Sequence, residues 1–303
     1  MIALTDLTPT SELIGSPKLI TDSIEAAYSA DQGKVVFKNE RIQPEFLYQL
    51  LRSVQYRTYI VTYSHGANVK HLQSEGFFDF KIPLPPLEVQ HQIVAEIEGY
   101  QKIIDGARQV LDNYKPHIAM NPAWPTEELG QFARLINGRA YKQEELLAAG
   151  PTPVLRVGNF FSNRGWYYSD LQLEVEKYCD VGDLLYAWSA SFGPRIWEGP
   201  RAIYHYHIWK VEVTERIEKK FLYYLLELNS VNIKTEGRGI AMVHATKRGM
   251  EKRKFPLPDL QTQRAIVAEI EAEQALVAAN RELIRRMEAK VKAAIDRVWG
   301  GAA

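Results

Sequence analysis

Residues 234–254 concentrate positive charge. Seven lysines and arginines stand there against Glu236 and Glu251, a local excess of five. Closely spaced cationic side chains suit the phosphates of a polyanion, and the glycines on either side of Arg238 would let a phosphate approach the backbone closely. We therefore expect Arg238, Lys247 and Arg248 to contact phosphates, although an ordinary solvated surface would show the same charge count.

Other polar residues are of the types that read the edges of nucleic-acid bases. Arginine, lysine and asparagine form the hydrogen bonds that distinguish one base from another, and small hydroxyls can contribute to the same readout. In the second half of the chain the candidates are Arg139, Tyr141, Lys142, Arg156, Asn159, Ser189, Ser191 and Arg195. In the first half the candidates are Asn68 and Lys70, close to Gly66. We place Ser189, Ser191 and Arg195 in a Gly-Pro loop, while the neighbouring aromatic residues could equally belong to the core.

Catalytic and metal-binding patterns are not recognisable in the sequence. No Gly-x-x-x-x-Gly-Lys-Ser/Thr loop is present, so we expect no ATP site of the P-loop kind. Residues 121–124 resemble an imperfect Asn-Pro-Pro-aromatic loop of adenine-N6 methyltransferases, but no glycine-rich cofactor site accompanies them. His205 and His207, which we predict on one strand face, lack a cysteine or carboxylate at ligand spacing, and Cys179 has no activating neighbour in sequence.

An internal repeat indicates the elements that must position the candidate residues. Residues 82–98 and 255–271 lie 173 positions apart and agree at 11 of 17 places. Each copy passes from a Pro-Leu-Pro segment, which must be extended, into a run of good helix formers. So long a period excludes a solenoid and predicts two large modules of similar plan.

Both copies continue as long helices with an apolar seam at alternating spacings of three and four residues. The seam residues that we expect to form a helix pair or a partner interface are Ile93, Ile97, Ile104, Leu111, Ile266, Ile270, Val277, Ile284 and Val291. A long seam needs an equally long partner, and each helix offers one to the other. We therefore predict an antiparallel helix pair, with Glu273 and Asn280 interrupting the second seam.

The repeat reaches upstream and carries a resemblance to a known family. Residues 46–51 echo residues 221–226, and residues 83–90 match the phrase Pro-Leu-Pro-Pro-Leu-x-x-Gln throughout, while residues 256–263 depart from it only at Asp259. With residues 124–130, 154–159 and 182–185 as further landmarks, nearly the whole chain resembles the specificity subunit of type I restriction-modification enzymes.

The resemblance implies an α+β fold in which two mixed α/β target-recognition domains are joined by two long antiparallel coiled-coil helices. The corresponding boundaries are 1–81 for a partial first recognition domain, 82–118 for the first spacer helix, 119–254 for the second recognition domain and 255–299 for the second spacer helix. The first domain departs from the family pattern because its start is missing. A natural truncation, a mispredicted start codon or a longer polypeptide, such as one with a fused methyltransferase, would each explain this.

The same resemblance implies a non-catalytic subunit that recognises double-stranded DNA and sets a two-part target for adenine-N6 methylation and restriction. Its implied partners are modification (methyltransferase) subunits and a motor-nuclease (restriction) subunit. S-adenosylmethionine, ATP and Mg²⁺ would be bound by those partners, with no cofactor in this chain. The alternatives are the recognition part of a longer fused enzyme, or a coiled-coil adaptor that does not bind DNA.

Composition bounds this interpretation. A chain of 303 residues with 46% apolar and 24% charged residues allows about two globular domains. A formal net charge of zero argues against a polyanion partner at the global level, so the local basic stretch must carry that interpretation. With one cysteine, no apolar stretch approaching the ~18 residues of a membrane span and Asp6 within the first residues, we expect a cytoplasmic protein with no membrane partner.

Overall fold

The computed structural model describes residues 1–8, 10–21, 25, 27–162, 165–189, 191–236 and 246–300, with residues 191 and 231–236 described by their backbone alone. The chain divides into two compact units. The first unit combines Met1–Tyr114 with Ala275–Ala303, and the second is Lys115–Gln274. As expected, the fold mixes helices and sheets, and two long helices follow the two Pro-Leu-Pro segments.

The first unit contains short strands, three short helices and the first long helix. Its elements are β1 (Ile2–Ala3), β2 (Thr5–Asp6), β3 (Gln32–Gly33), α1 (Pro44–Leu50), α2 (Val54–Val61), β4 (Ser64–His65), β5 (Lys70–Leu72), α3 (Ser74–Asp79) and α4 (Leu87–Asn113). Strand β1 pairs with β3, and β5 lies between β2 and β4. Tyr56 and Ile60 of α2 are fully buried in a small core that also contains Ile2 and Leu51.

Helix α4 packs against the last part of helix α8 (Leu260–Gly300) within the first unit. Ile97 is buried against Ala294 and Ile295. Arg297 donates a hydrogen bond to Glu96 at 2.5 Å, and Arg108 donates one to Glu288 at 2.8 Å. A higher residue number on α4 is therefore matched with a lower one on α8. The two helices are therefore antiparallel, as the matched seams predict. Helix α4 has 27 residues, roughly 40 Å at about 1.5 Å per residue.

The second unit is built on two four-stranded sheets. Its strands are β6 (Thr126–Glu128), β7 (Ala133–Asn137), β8 (Thr152–Leu155), β9 (Tyr167–Ser169), β10 (Tyr178–Cys179), β11 (Leu184–Ser189), β12 (Ser191–Ile196), β13 (Ala202–Tyr204), β14 (Ile208–Val213) and β15 (Lys254–Pro256). Its helices are α5 (Val157–Phe161), α6 (Lys219–Glu236), α7 (Lys247–Glu251) and the start of α8. The orders are β12-β11-β14-β7 and β10-β13-β8-β9, and β6 pairs with β15.

The segment predicted as a Gly-Pro loop is a β-hairpin. Leu184 faces Ile196 and Ser189 faces Ser191 across the β11–β12 pair, and Gly193 and Pro194 lie within β12. Serine, glycine and proline made the segment look like a loop, but Tyr186 and Ala187 are fully buried and the strand also pairs with β14. Tertiary burial thus overrides the local composition.

One buried glutamine locks each copy of the repeated junction. Gln90 accepts a hydrogen bond from the backbone N–H of Gln43 at 2.9 Å and donates to the carbonyls of Arg41 and Pro85. Gln263 does the same with Glu218, Arg216 and Pro258. Both side chains are fully buried. The repeat therefore conserves a three-bond clamp that joins the Pro-Leu-Pro turn to the start of the preceding helix.

In both copies, apolar residues at equivalent positions pack the preceding helix against the long helix. Phe46 and Leu50 of α1 pack with Val94, and Phe221 and Leu225 of α6 belong to one core with Val267 and Ile270. The first part of each long helix is thus built into its own unit. In the part of the chain that the structure describes, no helix is long and apolar enough to cross a membrane.

Candidate nucleic-acid interface

A cleft of about 850 Å³ opens at one edge of the second unit. Its walls carry one arginine, one asparagine, two histidines and two large aromatic residues, together with small side chains. The polar and large aromatic residues that line it are Arg156, Asn159, Trp166, Tyr167, His205 and His207. Two of them, Arg156 and Asn159, were predicted from the sequence.

The topology of the mixed sheet brings this set together. Strands β8 and β13 are parallel neighbours, with Tyr204 opposite Leu155. Arg156 directly follows β8 and His205 directly follows β13, so both residues emerge at the same edge, and His205 N–H donates to the Leu155 carbonyl at 2.9 Å. Tyr167 is the first residue of β9, which pairs antiparallel with β8.

Hydrogen bonds and stacking hold the polar residues of the cleft in place. Asn159 accepts from Arg156 N–H at 3.4 Å and donates to the Gly165 carbonyl at 3.2 Å, which ties α5 to the strand before it and to the chain after it. The guanidinium carbon of exposed Arg156 lies 5.1 Å from the centre of the Tyr167 ring. An arginine held over an aromatic ring by a cation–π contact loses less conformational entropy when it binds a further group.

The two histidines lie in a turn, not on the strand face predicted for them. His205 forms a single bridge with Arg139, and the chain turns before β14 begins at Ile208. Their rings are 4.8 Å apart, and Tyr141 stacks on His205. Burial, with His207 and Arg156 nearby, lowers the pKa of His205 to about 4, so this imidazole is neutral near pH 7.

The cleft combines hydrogen-bond donors with flat apolar surfaces. Among the described residues that line it there is no carboxylate, and Arg156 supplies a full positive charge. Such an arrangement favours an anionic or aromatic ligand over a cation, and both phosphates and bases meet this description. Trp166 and Tyr167 were not predicted, and the histidines were considered only as a metal-binding pair, because only the pairing of β8, β9 and β13 places these residues beside Arg156.

The predicted residues Arg139, Tyr141 and Lys142 lie on the strand-to-turn segment that follows β7. Arg139 makes two hydrogen bonds to Glu145, at 2.8 and 2.7 Å, and this contact holds the pKa of Glu145 at about 2. Tyr141 is half-buried against Val154, Tyr178 and Ile203, and burial raises the pKa of its hydroxyl. The Lys142 side chain is exposed, and its ammonium lies 3.9 Å from the Glu144 carboxylate.

The three candidates of the β11–β12 hairpin have different surroundings. Ser189 is buried, and for Ser191 the structure describes the backbone only. Arg195 is exposed and lies 5.7 Å from the Phe160 ring. It lines a second cavity of about 680 Å³ that also contains Glu198, Glu227 and Glu271. Those carboxylates make the second cavity a poorer anion site than the first.

The basic stretch is described in part. Arg238 lies outside the described residues. Lys247 and Arg248 are exposed in the first turn of α7, whose first amides are capped by the Thr246 hydroxyl at 3.1 Å from Gly249 N. Lys247 also pairs with Glu251 at 3.7 Å, which is a solvent-exposed contact of the weak kind.

In the first unit, Asn68 and Lys70 belong to the β4–β5 hairpin. Asn68 is exposed at the turn, and Lys70 stands opposite Asp6 in the sheet. Gly66 has a φ of +111°, and a Cβ there would lie 2.0 Å from the Val69 carbonyl oxygen. Glycine is therefore required for the turn that presents Asn68.

The predicted seam residues divide between the two units. Ile97 and Ile104 are buried and Ile93 and Leu111 partly buried on α4, while Val277, Ile284 and Val291 are partly buried on the part of α8 that belongs to the first unit. Ile266 and Ile270 instead pack into the core of the second unit with residues such as Leu222 and Leu225. Asn280 donates to its own helix, at the Leu276 carbonyl.

Among the described residues, no group of three or more histidine, cysteine or acidic side chains is placed to hold a metal ion. Cys179 is fully buried, its thiol donates to the Ala202 carbonyl, and burial raises its pKa to about 12. The thiol is therefore protonated at neutral pH and poorly nucleophilic.

Comparison with known proteins identifies the family. The model of the type I restriction modification DNA specificity domain matches residues 10–112 and 121–288. A type I restriction enzyme specificity subunit of Methanocaldococcus jannaschii, MjaX, is 23% identical over 86% of this chain and 68% of its own length. A second one from the same organism, MjaVIII, is 27% identical over 47% of this chain and 34% of its own length.

Solved structures show the same fold. The HsdS subunit from Thermoanaerobacter tengcongensis matches with a TM-score of 0.51 and 21% identity, over 86% of this chain and 71% of that one. A chain from a study of complex assembly and conformational transition in the type I R-M system matches with a TM-score of 0.56 and 22% identity, over 84% and 70% of the two chains. The match to the family model over most of the sequence confirms the predicted resemblance, and this chain belongs to the type I restriction-modification DNA specificity family, whose members are non-catalytic DNA-recognition subunits.

Proposed function

We propose that this chain sets a two-part DNA target for adenine-N6 methylation and restriction by partner subunits. Each unit would contact one part of the target, and the two long helices would act as the spacer between the parts. Membership of the specificity family and the duplicated clamp at Gln90 and Gln263 support this proposal. The boundaries 1–81, 82–118, 119–254 and 255–299 remain our proposal for the functional segments.

The cleft around Arg156 is the observation that carries the proposal. Its arginine is exposed and makes a cation–π contact with Tyr167, its asparagine is oriented by two hydrogen bonds, and its described lining is free of carboxylates. We assign base-edge contacts to Arg156 and Asn159, because arginine and asparagine make the bidentate contacts that specify guanine and adenine. Trp166 and Tyr167 would pack against the sugar or base faces.

Other exposed residues would position the DNA backbone. We assign phosphate contacts to Lys142, Arg195, Lys247 and Arg248, with Ser191 and Arg238 as further candidates, and contacts from the first unit to Asn68 and Lys70. Arg139, Tyr141 and Ser189 would support the site from within, since Glu145 already binds Arg139 and the other two are partly or fully buried.

The proposed partners follow from the family. Modification subunits would methylate adenine with S-adenosylmethionine, and a motor-nuclease subunit would use ATP and Mg²⁺. The exposed faces of the α4 and α8 pair would provide their docking surface. We place the complex in the cytoplasm, where its DNA substrate is.

A binding experiment tests the DNA contact directly. The chain, co-purified with its modification subunit, would be titrated with a pool of randomised duplexes at 50 to 200 mM salt. We expect enrichment of a defined motif and an affinity that falls by roughly 10³-fold or more over that range if about six phosphates are contacted. If no motif were enriched and no salt-dependent binding to duplex DNA were observed, the adaptor alternative would be favoured instead.

A further inference from the structure

The cleft around Arg156 has the size of a small-molecule site. Its volume of about 850 Å³ lies within the range of about 300–1,000 Å³ that is typical of ligand pockets. A side chain that reads a base inside an intact duplex must project into a groove, because the base edges are reached only there. A concave surface can instead take in one nucleotide that has left the helix. The shape of the cleft therefore suits an unstacked nucleotide better than a base pair.

The aromatic residues of the cleft offer ring faces to such a nucleotide. Trp166 and Tyr167 are partly exposed, and both line the cleft. The guanidinium of Arg156 lies over the Tyr167 ring, and the ring centres of Trp166 and buried Trp197 are 6.3 Å apart. In a duplex the faces of each base are covered by its neighbours, so only an unstacked base can use an aromatic side chain as a stacking partner. Two supported aromatic rings in one cleft therefore favour an unstacked base as the ligand.

The polar groups beside these rings suit the hydrogen-bonding edge of a base. The Nδ1 atom of His205 accepts a hydrogen bond from the backbone N–H of His207 at 3.5 Å. Because burial holds the pKa of this imidazole at about 4, the ring is neutral near pH 7 and its single proton is on Nε2. Arg156 adds the donors of a guanidinium to the same lining. The cleft thus combines a cationic donor with a neutral one.

Small residues keep the cleft open. Ala148, Gly158 and Gly165 are part of its lining. A Cβ atom at Gly165 would have no described atom within 4 Å beyond its chain neighbours. Packing within the described part of the chain therefore leaves this space to a ligand, and a larger side chain at Gly165 could fill it.

We propose that the second unit captures one extruded nucleobase in this cleft, with the faces of the base against Trp166 and Tyr167 and its edge toward Arg156 and His205. The inference rests on the DNA recognition proposed above and specifies the form in which the DNA is read. Extrusion requires a base to be unpaired and unstacked, and the cost of this step is smaller where the pairing is weaker. Capture of the base would therefore add to the sequence preference that direct contacts provide.

The test uses the chain co-purified with its modification subunit and the duplex enriched in the binding experiment above. The fluorescent base analogue 2-aminopurine, which stacking quenches, would replace one base of the duplex at a time. Binding should raise the fluorescence at one position of the motif. Gly165→Leu, which fills the cleft, should abolish that rise. Val181→Leu, which places the same side chain at an exposed turn outside the cleft, should leave it unchanged.

A mismatch at that position gives an independent readout. The base that enters the cleft would be kept and the base opposite it changed, so that the pair no longer forms. Because the cost of unpairing is then already met, the mismatch should strengthen binding to the wild-type complex by roughly tenfold or more. The Gly165→Leu complex should show no such gain.

Circular dichroism melting checks that each variant is folded, and Tyr167→Leu, which removes one ring without filling the cleft, provides a second variant that should reduce the fluorescence rise. An enriched motif without any position of raised fluorescence would overturn this inference and leave the proposed DNA recognition standing. A rise of equal size in the wild-type and Gly165→Leu complexes would assign the extruded base to another site and also overturn it. If no duplex were enriched at all, the proposed function itself would fail.

Discussion

The first and second units each contain a copy of the same helix junction, but the sheets near the two copies differ. Each junction is held by a fully buried glutamine with three backbone partners and by a phenylalanine with no exposed surface. The second unit contains two four-stranded sheets, while the described residues of the first unit form a two-stranded and a three-stranded sheet of short strands. The duplicated protein thus fixes the start of each long helix by the same three hydrogen bonds, although the strands described around the two junctions differ.

We expect the largest effect on stability from truncating the buried phenylalanine of each junction. Phe46→Ala and Phe221→Ala should each destabilise their own unit by about 3–5 kcal/mol, because each leaves a cavity beneath the long helix. Hydrogen exchange followed by mass spectrometry can assign the loss of protection to one unit. If either change loosened both units equally, the idea of two separately built junctions would fail.

Removing the clamp should have the next largest effect. Gln90→Leu and Gln263→Leu keep the side-chain volume but leave one amide and two carbonyls without their partner, at a cost of about 2–3 kcal/mol. Chemical denaturation of both variants measures the free energy of unfolding. We expect similar losses, with Gln92→Leu on the exposed face of α4 as a neutral control. A large loss in only one variant would show that the clamps are not equivalent.

Substitutions of one arginine in the second unit and one lysine in the first test whether the two units contact DNA differently. Arg156→Ala should weaken binding to the cognate duplex by roughly tenfold, since it removes a base-edge donor worth about 1–3 kcal/mol. Lys70→Ala should weaken binding less and equally for all sequences, as a phosphate contact would. Competition titrations with cognate and random duplexes separate these outcomes. Equal loss of specificity from both changes would contradict the assignment of base reading to the cleft.

The smallest predicted effect is a dependence of the second unit's stability on pH. Burial holds the pKa of His205 at about 4, below its value of 6.5 in an unfolded chain. Between these values the unfolded chain binds a proton that the folded chain does not, so the free energy of unfolding falls as pH decreases from about 6.5 to 4. At pH 5 the loss should be of order 1 kcal/mol after allowance for the partial exposure of the ring.

His205→Gln should flatten this part of the stability profile. The ion pair of Arg139 with Glu145 does not confuse the measurement, because the pKa of Glu145 is lowered from 4.5 to about 2 and its contribution is lost only as pH falls below about 4.5. Thermal melts at pH 7 and pH 5 compare the two proteins. A wild-type chain whose melting does not change between these values would contradict the buried, neutral imidazole.

The sequence predicts the helices well and the recognition surface only in part. Proline placement and a seam of three- and four-residue spacings depend on local rules, which is why the two long helices and their antiparallel pairing could be foreseen. Arg139 shows the opposite case, because its partner Glu145 is brought to it by a turn that no periodicity reveals. Likewise, His205 joins Arg156 only through the parallel pairing of β13 with β8, which is a long-range contact.

Mapping N6-methyladenine in a methylation-free host that co-expresses this chain with its modification subunit tests the central claim most directly. Our account predicts methylation within one asymmetric motif of two specified parts separated by a fixed gap, with one part read by each unit. It also predicts that Arg156→Ala relaxes only the part read by the second unit. A palindromic motif, which would mean that one unit reads both parts, or methylation that does not depend on this chain would contradict the account.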